Sequence, residues 1–158
     1  MEEEKIPEIL IGDAQRADSG VIAAFQHKMA LETENLQLDP ATLEAGVKAV
    51  FDHPELGRYF VAKANNRIIA SMMTTYEWSD WRNASVWWLQ SVYVLPEYRG
   101  TGVFRKLYDH VRELARDQKQ VAGVRLYVDK RNVQAQKVYE AVGMDGEHYR
   151  VFEWMKEG

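Results

Sequence analysis

Residues 85–94, SVWWLQSVYV, are apolar at nearly every position. No other stretch constrains the fold as strongly. A strand with one wet face alternates polar and apolar residues, whereas a near-continuous apolar run needs cover on both faces. Pro96 ends the run. Gly100 and Gly102 then open a helix expected over about 102–118, with Val103, Leu107, Val111 and Leu114 as its inward stripe. A compact strand follows at 124–128, where Val124, Leu126 and Val128 alternate. Strand, crossover helix and strand together predict a sheet with helices packed on it.

Upstream, Ile9-Leu10-Ile11 reads as a short strand. Asp18 or Ser19 is expected to cap a helix carrying Val21, Ile22, Phe25 and Met29 at helical spacing. The polar residues 32–35 read as loop. Asp39-Pro40 marks a second helix start, a capping carboxylate followed by proline in the first turn. Leu43, Val47, Val50 and Phe51 give that helix its buried stripe. Strands are expected over 59–64 and 68–76, joined by a tight turn at Asn65-Asn66, with a polar loop at 79–84. Downstream, Asn132 caps a helix with Ala135, Val138 and Val142 inward and Gly143 at its end. Residues 150–155 read as a last strand. The order β α α β β β α β α β predicts a mixed α/β sheet with helices on both faces.

The length of 158 residues suits one domain spanning 1–158. Hydrophobic and charged shares of 46% and 28% exclude wholesale disorder. The absence of cysteine excludes a thiolate nucleophile and any Cys-based zinc site. His27, His53, His110 and His148 show no ligand spacing, so no metal is expected. A net charge of -4 gives no general basic footprint for nucleic acid, although Arg112, Arg116, Lys119 and Arg125 make a local basic cluster. No apolar run approaches the ~18–20 residues that span a bilayer. The opening Met-Glu-Glu-Glu-Lys lacks the apolar core of a secretory signal. Neither nucleic acid nor membrane is an expected partner, and a cytoplasmic location is the expectation.

The chemistry concentrates between Gln90 and Phe104. A buried strand ends and two glycines precede a helix, whose first-turn N–H groups lie outside the intrahelical ladder at the positive end of the dipole. Glycine lets an anion approach the backbone closely, and Arg99 and Arg105 add positive charge. The arrangement suits a diphosphate; it also suits a plain strand–helix junction. Arg105 stands where a dinucleotide fingerprint needs its third glycine, and no Gly-Lys-Ser/Thr occurs.

The run Val94-Leu-Pro-Glu-Tyr-Arg-Gly-Thr-Gly-Val103, with the downstream pattern Asn132-x-x-Ala135-x-x-x-Tyr139-x-x-x-Gly143-Met144, resembles the GNAT superfamily of acyl-CoA-dependent N-acyltransferases. The likeness is firm over about 59–144. It implies a twisted mixed sheet whose parallel fourth and fifth strands splay apart, with acetyl-CoA as co-substrate. The cofactor's diphosphate would rest on Arg99, Gly100, Thr101, Gly102, Val103, Phe104 and Arg105, and its pantetheine arm would pair with Val92, Tyr93 and Val94. Asn132 would lie against that arm. Tyr139 would protonate the departing thiolate. A homodimer is a further expectation from the resemblance.

Two positions depart from the family pattern. Phe104 stands where glycine or alanine is usual, so its ring must turn away from the phosphates or narrow the cradle. Gln90 stands where many small-amine members carry a glutamate base, and glutamine cannot take a proton at neutral pH. Glu77, then Asp80, are the candidate replacements; both are also ordinary loop carboxylates. Gln90 is left to orient water or substrate. The resemblance places Glu32 and Glu34 beside the acceptor groove, where they would attract a cationic amine, and Trp78, Trp81, Trp87 and Trp88 flank it.

The expected activity is transfer of an acetyl group from acetyl-CoA to a primary amine of a small molecule by direct attack. A peptide or protein amine is the alternative acceptor. A second class of function is an acyl-CoA-binding sensor or partner module without turnover.

Overall fold

A computed structural model describes residues 7–157. Two compact units are distinguished, one ending at Arg125 and the other beginning at Leu126. The first contains β1 (Ile9–Asp13), α1 (Ser19–Glu34), α2 (Pro40–Asp52), β2 (Arg58–Ala64), β3 (Arg67–Ser79), β4 (Ala84–Val94), α3 (Val103–Arg116) and β5 (Val121–Arg125). The second contains α4 (Val133–Ala141).

The strands form a mixed sheet in the order β1-β2-β3-β4-β5. The first three pairings are antiparallel and β4–β5 is parallel. Successive strand residues point to opposite faces, which sets the layers. Tyr59 and Val61 of β2 cluster with Ile22 and Ala23 of α1 and Val47 of α2. Phe60, between them, meets His110 of α3 edge-on at 5.7 Å. Helices α1 and α2 therefore cover one face and α3 the other, as the apolar character of β4 requires. Ile22, Phe60, Ile69, Met72, Leu107 and Val111 are fully buried between these layers.

Several local expectations hold. Asp39 accepts the Thr42 N–H at 3.0 Å and caps α2, with Pro40 in its first turn. Asn65 and Asn66 adopt φ of 51° and 63°, the left-handed pair that a tight hairpin turn demands. Asn132 accepts the Ala135 N–H at 3.0 Å and caps α4, and Gly143 follows it at φ 93°.

Four expectations are corrected. Residues 32–34 continue α1 instead of forming a loop, and Asn35 ends the helix at φ 49°. Contacts from β4 and the following loop hold Glu32 there, outweighing the unfavourable placing of carboxylates at a helix C-terminus. The Asp18 carboxylate accepts the Gln15 N–H at 2.8 Å, so it closes a short 3-10 turn ahead of α1 and makes no side-chain cap to α1. Residues 77–79 belong to β3, because each finds a partner in β4. Finally, 126–128 and 150–155 are not strand. β-forming side chains make a strand only where another strand supplies hydrogen bonds. The β4–β5 ladder ends at Trp88↔Arg125, and Phe152 and Trp154 are exposed.

Candidate active site

The end of the β4–β5 ladder creates the principal feature. β4 runs on from Leu89 to Val94 past the last pair, so that edge carries backbone groups with no β5 partner. Within the same stretch the β3 register slips between Ser71 and Met73, whose partners are Tyr93 and Gln90. The slip is a bulge, and Ser91 takes it up at φ 55°. A left-handed serine costs about 1–3 kcal/mol and persists only when its surroundings enforce it. Gln26 of α1 supplies part of that enforcement. Its side chain is buried, and Nε2 donates to the Ser91 carbonyl at 3.2 Å. The peptide unit is planar and trans, so fixing the Ser91 oxygen also fixes the opposite direction of the Val92 N–H. The sequence reading missed Gln26; a polar residue on the buried face of α1 was the available signal.

The loop beyond β4 forms an open cradle. Gly100 and Gly102 have φ of 76° and 85°, and a Cβ added to either would meet nothing within 4 Å. Glycine is therefore needed for backbone conformation, and the space above it is clear for an anion. The Thr101 hydroxyl donates to the Tyr98 carbonyl and ties the loop to itself. Val103 is buried and roots α3 in the core. The α3 ladder begins with Lys106 N–H to the Gly102 carbonyl at 3.1 Å, so the amides of 103–105 precede it. Phe104 stacks on Tyr108 one turn along, at 6.1 Å and 20°. Arg105 is exposed beside the cradle.

Glu32, Tyr93 and Arg99 come together. Arg99 donates through Nε to the Val94 carbonyl at 2.9 Å and through Nη2 to Glu32 at 2.7 Å. Its guanidinium lies 5.4 Å from the Tyr93 ring centre. The Tyr93 hydroxyl donates to Glu32 at 3.2 Å, and its ring packs on Phe25 at 5.1 Å. Burial, then the negative charge of Glu32, pushes the Tyr93 phenol above its ordinary pKa. Arg99 and Glu32, expected at the cofactor and acceptor respectively, thus join the β4 end to the last turn of α1. Glu34 stands exposed at the end of the same helix.

A polar cluster lies on the α1–α2 face of the sheet. Met73 packs against the α1–α2 core and is the partner of Gln90, so Thr75, Glu77, Trp88 and Gln90 share that face. Gln90 Nε2 donates to the Thr75 hydroxyl at 2.6 Å. Arg125 Nη1 donates to Glu77 Oε2 at 2.6 Å. Sequence reasoning offered Glu77 as the base in place of Gln90; Glu77 is the partner of Val86 and Gln90 that of Met73, four positions apart along β4, and Arg125 was given no part in the site. Nothing local distinguishes Arg125, because its partner is 48 positions away. Asp80, the second candidate base, accepts the N–H of the exposed Trp81 at 2.9 Å.

In the second unit, Tyr139 lies on α4 and is half-buried. Burial raises its phenol above the ordinary pKa, so it holds its proton at neutral pH.

The three arginines of the basic cluster are paired with acids. Arg112 meets Asp109 at 3.3 Å, Arg116 meets Glu113 at 2.8 Å and Arg125 meets Glu77. Among the described residues no group of three or more His, Asp or Glu is placed to hold a metal ion. No described helix is long and apolar enough to cross a membrane.

Comparison with known proteins agrees with this geometry. The model of the Acetyltransferase (GNAT) family matches residues 23–144. Thialysine N-epsilon-acetyltransferase of Bos taurus is 37% identical over 144 residues, covering 85% of this chain and 83% of its own. The crystal structure of a possible acetyltransferase from Clostridium difficile 630 is 38% identical, with a TM-score of 0.88 and coverage of 95% and 99%. An aminoglycoside N-acetyltransferase solved in complex with CoA shares the fold at 17% identity, with a TM-score of 0.78 and 99% of each chain covered.

Proposed function

We propose that this chain, which belongs to the Acetyltransferase (GNAT) family, acetylates the primary amine of a small molecule. Acyl transfer to an amine follows from the family; the small acceptor is the further step. The observation that supports it most directly is the half-exposed polar face of Thr75, Glu77, Trp88 and Gln90 beside the Ser91 bulge. A relative at 37% identity is named for a small amine, thialysine, which supports the same reading.

The family uses acetyl-CoA, which supplies the acyl group as an activated thioester. The open glycine cradle fits its diphosphate. In our reading the amides of 99–105, with the exposed Arg105 beside them, hold that group, Val92, Tyr93 and Val94 offer an edge to the pantetheine arm, and Asn132 lies against the arm. The Val92 N–H is aimed to support negative charge on the reacting carbonyl oxygen. Tyr139 carries the proton required by the leaving sulfur. Gln90, donating to Thr75, presents its amide oxygen to the acceptor amine. Glu77 and the exposed Glu34 attract the protonated amine, Glu32 joins them only when released from Arg99, and Glu77 takes a proton only when Arg125 has moved from it.

The test is release of free thiol from acetyl-CoA with a panel of small amines and of lysine-containing peptides. Release is expected with small amines and is expected to fall about a hundredfold in Tyr139→Phe. Release with the peptides alone would overturn the small-acceptor reading. An unchanged rate in Tyr139→Phe would remove that residue's role.

A further inference from the structure

Resting on the cofactor reading above, we infer that Arg99 covers the open edge of β4 and that a diphosphate must draw it away before pantetheine can pair there. Arg99 is then a specificity-determining residue: it makes the chain select a nucleotide-bearing thioester over one carried on pantetheine alone. The backbone identifies the edge. The Leu95 N–H donates to the Ile69 carbonyl of β3 at 2.9 Å. In a planar trans peptide the carbonyl points opposite to the N–H. The Val94 oxygen therefore faces away from β3, on the side where the β4–β5 ladder has already ended. It is an acceptor that a pantetheine amide would use. Arg99 Nε already donates to it at 2.9 Å. A charged side chain laid on an open strand edge is a common block to an added strand.

Glu32 and Tyr93 are positioning residues for this cover. Glu32 accepts from Arg99 Nη2 at 2.7 Å, and Tyr93, itself bonded to Glu32, sets its ring 5.4 Å from the guanidinium. Their hold is modest. The Arg99 and Glu32 side chains are 46% and 41% exposed, and water screens such a pair. A diphosphate carries more charge than one carboxylate, and the glycine cradle begins at the next residue, Gly100. An anion seated there offers the guanidinium a stronger partner within reach of its own flexible stem. Turning to it uncovers the Val94 oxygen. One side chain thus couples the two ends of coenzyme A, and each end favours binding of the other. Pantetheine alone brings no charge to move Arg99, so it competes with Arg99 for Val94.

The experiment is calorimetry on the full-length protein, with coenzyme A, pantetheine and inorganic diphosphate as the probes. Arg99→Ala is expected to weaken coenzyme A about thirtyfold, through loss of a charge-assisted contact. The same variant is expected to tighten pantetheine about fivefold, because a competing hydrogen bond has gone. Pantetheine carries no charge, so its affinity reads the edge and not the electrostatics. Glu32→Gln keeps Arg99 but loosens it, and is expected to tighten pantetheine about threefold. Wild-type protein needs no substitution: saturating diphosphate is expected to tighten pantetheine about fivefold, and to have no such effect in Arg99→Ala. A misfolded variant would weaken both ligands, so effects of opposite sign are diagnostic. Pantetheine that is weakened, unchanged or undetected in Arg99→Ala overturns the inference. So does a wild type in which diphosphate leaves pantetheine unaffected. In either case coenzyme A that still binds wild type leaves the cofactor reading standing. Failure of coenzyme A to bind wild type overturns that reading, and the inference with it.

Discussion

Replacing Gln26 by leucine removes one hydrogen-bond donor from a buried site while nearly keeping the volume. The Ser91 carbonyl then loses its partner on α1. A side-chain hydrogen bond contributes about 1 kcal/mol net, and an acceptor left without a partner costs about 1–3 kcal/mol. Ser91 is only partly buried, so the lower end applies. The expected stability loss is about 1–2 kcal/mol, or a Tm lower by about 2–8 °C for a chain of this size. The kinetic effect follows from peptide planarity. Once the Ser91–Val92 unit can rotate, the Val92 N–H is no longer aimed, and loss of one such donor lowers kcat by about a hundredfold. KM for acetyl-CoA should change much less, because the cradle at Gly100 and Gly102 is untouched. Denaturant titration and steady-state thiol release read the two effects separately. Adding Ser91→Gly to Gln26→Leu should restore about 1 kcal/mol, since glycine accepts φ 55° without strain, yet leave kcat low. A Gln26→Leu protein that is destabilised as described but keeps its kcat within twofold would refute the link between this bond and the direction of the Val92 amide.

Gly102→Ala should lower stability by about 1–2 kcal/mol, the cost of a left-handed alanine at φ 85°. Its effect on coenzyme A affinity by calorimetry should be larger, because the new methyl group occupies the approach to the cradle. The Tyr139 pKa is raised by burial, so the phenol stays protonated below its ordinary value of 10 and beyond it. In a pH–kcat profile its loss should therefore appear only as the pH rises above 10, and that limb should be absent in Tyr139→Phe. Arg58 holds the Asp13 carboxyl below its ordinary value through bonds of 2.6 and 2.9 Å. That contribution is present above the unfolded carboxyl's pKa and disappears as the pH falls through the lowered folded value. Both side chains are well exposed, so it amounts to under about 1 kcal/mol. Asp13→Asn should accordingly lose less thermal stability than the parent between pH 5 and pH 2.

What the sequence determined by itself lies within a few residues of each signal. The apolar run ending in β4, Pro96, the two glycines and the amphipathic α3 define a strand–loop–helix unit with an anion cradle. Capping by Asp39 and Asn132 and the Asn65-Asn66 turn were legible for the same reason: each is decided by bonds spanning two or three positions. The tertiary structure decided the rest. Residues 32–34 joined α1 because Arg99 and Tyr93, more than 60 positions away, hold Glu32. Residues 150–155 have strand-forming side chains, yet among the described residues no strand pairs with them, so propensity alone did not make them β. Gln26 on Ser91 and Arg125 on Glu77 depend on strand register and on how a helix lies across a sheet. Those are properties of the packed chain, in which burial and hydrogen-bond satisfaction are settled between segments and no local pattern records the outcome.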